Sequence, residues 1–141
     1  MGNQSSVKKI SYEDMQYILK NPMHTLIINT LDGASQNCLI RNTVKVEKEV
    51  SIINTHLQHL NTPIIIYGRN NNDESIYKKY SQLLSLGFTH VYVYTGGLFE
   101  WLCLQDIYGD DLFPTTIQEL DILKYKPSSL FTSVGLLLDI N

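Results

Sequence analysis

Three short apolar runs rich in β-branched residues constrain this chain most: Thr25–Thr30 (TLIINT), Ile64–Tyr67 (IIIY) and His90–Tyr94 (HVYVY). Continuous rather than alternating hydrophobicity marks strands covered on both faces. The segments between them carry helical spacing. Ser11–Lys20 opens on a cap-competent serine, holds Glu13 and Asp14 in its first turn, repeats apolar residues at Met15, Ile18 and Leu19, and ends at Asn21-Pro22. Glu47–Leu60 sets Val50, Ile53, Leu57 and Leu60 three and four residues apart. After Glu74 a helix is expected on Ile76, Tyr80, Leu83, Leu84 and Leu86, stopped by Gly87, and another over Leu98–Tyr108 beyond the Gly96-Gly97 turn. Leu39–Val44 reads as a weaker strand and Glu119–Tyr125 as a last helical turn or two. Strands alternating with helices predict an α/β fold with a central, mainly parallel sheet and helices on both faces.

Length and charge narrow the functional classes. At 141 residues the chain is one domain. A net charge of −3 provides no positive field for nucleic acid, and Tyr77-Lys78-Lys79-Tyr80 is too thin a basic cluster to replace one. The two cysteines, Cys38 and Cys103, support neither a disulfide scaffold nor a thiolate zinc site, and the acidic stretch Asp106–Asp111 lacks the spacing of a calcium loop. No cofactor or metal is expected. No apolar run approaches the roughly 18 residues that span a bilayer.

The start, Met-Gly-Asn-Gln-Ser-Ser, fits an N-myristoylation signal on Gly2, with Ser6 at the favoured position and Lys8 and Lys9 behind it. Otherwise it is an ordinary polar terminus. One acyl chain holds a membrane only marginally, with an association constant of order 10⁴ M⁻¹. The expectation is a cytoplasmic protein in reversible peripheral contact with membrane, from a eukaryotic host or a virus of one. Residues 1–8 are read as a flexible leader and 9–126 as the domain. The last stretch, 127–141, is an apolar extension (Leu130, Phe131, Val134, Leu136, Leu137, Leu138, Ile140) packing on the domain or on a second copy.

Taken as a unit, Ile64–Tyr67, the loop after it, the helix ending Leu86-Gly87-Phe88, Val91, Gly96-Gly97 and Trp101 resemble the second half of a rhodanese-like domain, the family of sulfurtransferases and related phosphatases. The resemblance covers residues 8 to about 115 and implies a three-layer α/β fold. The family's first strand usually ends in Asp and Arg; here those positions hold Asn29 and Leu31.

The resemblance also implies where chemistry should be. In the family, a catalytic cysteine follows the strand matching Ile64–Tyr67. Backbone N–H groups of the next loop, running into a helix N-terminus, stabilise its thiolate, its persulfide and the anionic substrate. Here that residue is Gly68, and no thiol occurs in Gly68, Arg69, Asn70, Asn71, Asn72, Asp73, Glu74 or Ser75. The loop ends on Asp73 and Glu74 where a basic residue is usual, so its charge opposes an anion. It is also about two residues longer than the sulfurtransferase form. Arg69 is its only cation, free to hold an anionic ligand or to pair with Asp73 or Glu74. The asparagines suit turn and cap chemistry, with side-chain amides for a ligand as the alternative.

Cys103 and Trp101 lie in an apolar helix and read as core. Cys38, in a polar loop, is the better candidate for a reactive thiol. The leading reading is a catalytically inactive rhodanese-like module that binds an unidentified protein partner. Its rivals are an enzyme using a displaced thiol at Cys38, and an assembly protein forming homo-oligomers through its C-terminal tail.

Overall fold

The computed structural model describes residues 6–131. Gly2 and residues 132–141 lie outside the described residues, and so do the expectations attached to them. Four strands, β1 (Lys9–Ile10), β2 (Leu26–Asn29), β3 (Ile64–Tyr67) and β4 (Val91–Tyr94), form one parallel sheet in the order β1-β4-β3-β2. Ile64 lies opposite Leu26 and Val91, and Tyr67 opposite Asn29 and Tyr94. With every strand parallel, all loops that follow a strand gather at one end of the sheet and all that precede one at the other.

Alternate side chains of each strand serve different cores, which is why the runs are apolar without interruption. Ile27, Ile65, Tyr67 and Tyr94 pack with Met15 of α1 (Tyr12–Lys20) and with Leu98, Trp101 and Leu102 of α4 (Gly97–Tyr108). Ile28, Ile64, Ile66, Val91 and Val93 pack with Ile53 of α2 (Val46–Thr55) and with Ile76, Tyr80 and Leu83 of α3 (Ser75–Ser85). At the start of α1, Ser11 Oγ accepts from the Asp14 N–H while the Asp14 carboxylate accepts from the Ser11 N–H at 2.9 Å, a reciprocal cap. Trp101 is buried edge-on against Tyr94 and Phe113, and its Nε1 donates to the Pro114 carbonyl at 3.1 Å.

The structure departs from the sequence expectations in several places. The start of the chain is placed as far back as Ser6: β1 pairs with β4, the Lys8 carbonyl accepts from the Val93 N–H, and Val7 packs against the second core. Leu39–Val44 is not a strand. Asn42, at φ 70°, breaks its extension, leaving single bridges at Ile40–Thr115 and Ile27–Thr43. Val50 faces solvent, and Glu49 is buried instead, in an ion pair with Lys79 that ties α2 to α3. That pair, and Tyr80 in the core, disperse the basic cluster. The last helical segment is a 3-10 turn over Ile122–Tyr125. Leu130 and Phe131, 71% and 82% exposed, do not pack on the domain.

Candidate functional site

The site expected from the sequence grows out of the end of β3. Tyr67 is fully buried, and counting protons fixes its hydroxyl's bonds. Thr43 donates its one proton to the Ile40 carbonyl at 2.6 Å, so Tyr67 donates to Thr43 Oγ1 at 2.8 Å and accepts from the Ile40 N–H at 3.1 Å. Burial pushes the phenol well above its ordinary value. One strand residue thereby replaces the ladder that Leu39–Val44 does not form.

The loop then turns under α4. The Gly68 and Arg69 carbonyls accept from the N–H groups of Leu98 and Phe99 at 2.9 Å each, satisfying donors that a helix start leaves unpaired. This approach requires Gly97. Its φ is +70°, and a Cβ there would lie 2.8 Å from the Asn70 nitrogen and 2.9 Å from the Gly68 oxygen.

Asp73 folds back into the loop. Its Oδ2 accepts from the Arg69 N–H at 2.8 Å, and its Oδ1 from the Ser75 N–H at 3.0 Å and the Ser75 hydroxyl at 2.5 Å. The Ser75 hydroxyl also points to Thr30 Oγ1 at 2.7 Å, so its one proton is shared between Asp73 and Thr30. A Cβ on Gly68 would meet Asp73 Oδ2 at 2.4 Å and Thr30 Oγ1 at 2.9 Å. The carboxylate therefore fills the space a side chain at position 68 would need, at the N-terminal entry to α3 where negative charge is favoured.

Arg69 does not pair with Asp73 or Glu74 through its side chain. The guanidinium reaches away, bonding the Lys124 carbonyl and Ser35 Oγ (3.3 Å) and covering the Tyr125 ring at 5.0 Å. Asn70 is buried, donating to the Tyr125 carbonyl at 2.9 Å and accepting from the Asn72 N–H at 2.9 Å. Its turn chemistry is as expected; its grip on the chain 55 residues later is not. Asn71, Asn72 and Glu74 are exposed, and the Glu74 side chain makes no cap bond. An open cleft of about 430 Å³ remains above, lined by Thr30, Asp32, Arg69, Asn70, Asp73 and Ser75 among others, with the Arg69 guanidinium lying over the Tyr125 ring at its edge.

Asn29 also has a partner the sequence reading missed. It exchanges amide hydrogen bonds with Gln36 at 2.8 and 3.1 Å, and its Oδ1 accepts from the Leu31 N–H. A neutral amide pair thus ends β2 where the family resemblance leads one to expect charge.

Cys38 is not an exposed thiol. It is fully buried in the core cluster that holds Tyr67, its S–H donates to the Ile117 carbonyl at 3.5 Å, and burial pushes its pKa up. Cys103 is half-buried rather than fully packed, and desolvation raises it too. Among the described residues no group of His, Cys, Asp and Glu is placed to hold a metal ion, and no helix is long and apolar enough to cross a membrane.

A parallel sheet covered on both faces, with a glycine-braced loop leading from its central strand into a helix, defines a class that comparison names. The rhodanese-like domain model matches residues 28–103, more than half of the chain, and the chain belongs to the rhodanese-like family. No curated protein matches it. Among solved structures it is similar to the Alr3790 protein from Anabaena sp. (20% identity, 94% of each chain covered, TM-score 0.57). It is similar also to Ygr203w, described as a yeast protein tyrosine phosphatase of the rhodanese family (13%, 85% of this chain and 99% of that one, TM-score 0.56). A third is the Saccharomyces cerevisiae single domain sulfurtransferase RDL2 (15%, 80% and 100%, TM-score 0.55). At these identities the likeness is one of fold.

Proposed function

We propose that this chain is a rhodanese-like domain without transfer activity, used as a binding module, with its former active-site loop serving to hold its own C-terminal segment. The observation that carries the reading is the Asp73 carboxylate seated against Gly68, on the N–H groups that the family resemblance assigns to an anion. A nucleophile is missing at that position, and its space and donors are taken. Arg69 and Asn70, which line the cleft, also grip the Lys124 and Tyr125 carbonyls.

Burial and a raised pKa leave Cys38 little thiolate with which to attack a sulfur donor. The test is paired assays of thiosulfate:cyanide sulfur transfer and aryl phosphate hydrolysis. Both should stay at the no-protein blank; transfer abolished by Cys38→Ala would establish the displaced-thiol enzyme instead.

Acylation of Gly2 belongs to the same reading. It is supported by the Gly2–Ser6 spacing and by Lys8 and Lys9 close behind it in the sequence. Self-association is the second reading, favoured by exposed Leu130 and Phe131. Light scattering on the full chain and on residues 1–126 separates them: equal monomeric masses remove assembly, and a larger full chain supports it.

A further inference from the structure

At the end of the sheet opposite the loop lies an apolar groove of about 410 Å³, within the roughly 300–1,000 Å³ range of ligand-holding clefts. Ile10, Ile18, Ile65 and Tyr92 line it with Tyr17 and Met23, 68% and 76% exposed, and the polar groups on its border include Asp14, whose carboxylate is held by the Ser11 cap. A groove of this size and lining can take an apolar occupant. Three features point to one. The described chain begins at Ser6 beside this groove: Lys8 Nζ sits 5.9 Å from the centre of the Tyr92 ring, and Ile10 is itself a wall. From Ser6, the first described residue, four residue steps lead back to Gly2 and reach up to about 14 Å, so a group on Gly2 hangs on a short tether from this edge of the sheet. The described C-terminal residues lead away instead, since Ser128 borders the cleft at the other end of the strands.

We infer that the groove is the seat of the myristoyl chain carried by Gly2, so that the domain shelters its own lipid and exposes it only part of the time. This rests on the acylation reading above. Free and sheltered states share the lipid, so the apparent membrane affinity falls by the fraction exposed.

The test uses the full chain co-expressed with an N-myristoyltransferase, its acylation read by intact mass. Acylated wild type and acylated Met23→Glu are compared for binding to neutral phosphatidylcholine vesicles, and acyl-to-methyl contacts are sought by NMR at Ile10, Ile18 and Ile65. Met23 is 76% exposed, so its replacement by another side chain is expected to cost little stability, while a carboxylate there opposes lipid seating. The expected result is acyl contacts to those methyls and vesicle binding about tenfold weaker for wild type than for Met23→Glu, as for a chain about nine-tenths sheltered. Acylated protein with no such contacts, and equal binding by both forms near the 10⁴ M⁻¹ order of a free chain, overturns the groove alone. An unmodified Gly2 overturns the acylation reading and this one with it. Contacts between the same methyls and residues 132–141 would assign the groove to the tail and also overturn it.

Discussion

The two ends of the sheet differ in how they treat their polar and apolar groups. At the strand-following end, where open α/β sheets ordinarily receive ligands, several of the loop's donors and carbonyls are met by the chain itself. Asp73 takes the Arg69 and Ser75 N–H groups, and α4 takes the Gly68 and Arg69 carbonyls. At the strand-preceding end an apolar groove stands open beside the start of the chain. A fold can thus hold its loop geometry through contacts within the chain, with Asp73 seated on the loop's own N–H groups.

The loop end should be brittle. Gly97→Ala forces a Cβ onto the Asn70 and Gly68 backbone at positive φ, and we expect a loss of about 3 kcal/mol by urea unfolding. Tyr67→Phe strands the buried Ile40 N–H and removes the brace of residues 39–43, at a cost of about 2 kcal/mol by the same measurement. Gly68→Cys collides with Asp73 Oδ2, so the substitution displaces the carboxylate and costs about 1–2 kcal/mol. Added to Asp73→Ala it should cost less than it does alone, and a double-mutant cycle reads that coupling; strict additivity would mean the two positions do not share the space.

Stability should also fall in alkali. Cys38, Tyr67 and Tyr94 all have folded pKa values above their ordinary 9.0 and 10.0, through burial first and, for Tyr94, its bond to Glu100 as well. Above those ordinary values the unfolded chain releases protons that the folded chain keeps, so the folded state loses stability as pH rises past 9 and further past 10. Chemical denaturation at pH 8, 9.5 and 10.5 checks the order. The open end is the contrast: Met23→Glu, at an exposed rim, should change stability by no more than about 0.5 kcal/mol.

Legibility in the sequence followed the range of the interactions. The cores of β2, β3 and β4 and the cap of α1 were readable because their signals are local: continuous β-branched runs, and a serine three residues before an aspartate. Two-residue β1 carries no run of its own and exists through pairing with β4, so the sequence hid it. Leu39–Val44 had strand-like residues, yet left-handed Asn42 and the Tyr67 hydroxyl decided its path. In the loop, the absent thiol and the acidic end were plain. That Asp73 rather than Glu74 turns inward depends on the missing Cβ at Gly68, and the turn of Arg69 toward Tyr125 depends on a contact 56 residues away in the chain.

The central claim is that Asp73 occupies the loop's anion cradle. Titrating sulfate into ¹⁵N-labelled wild type and Asp73→Ala tests it at the atoms concerned. We expect the Arg69 and Ser75 amides to stay unmoved in the wild type and to shift saturably in Asp73→Ala. Saturable shifts of those two amides in the wild type would contradict the account.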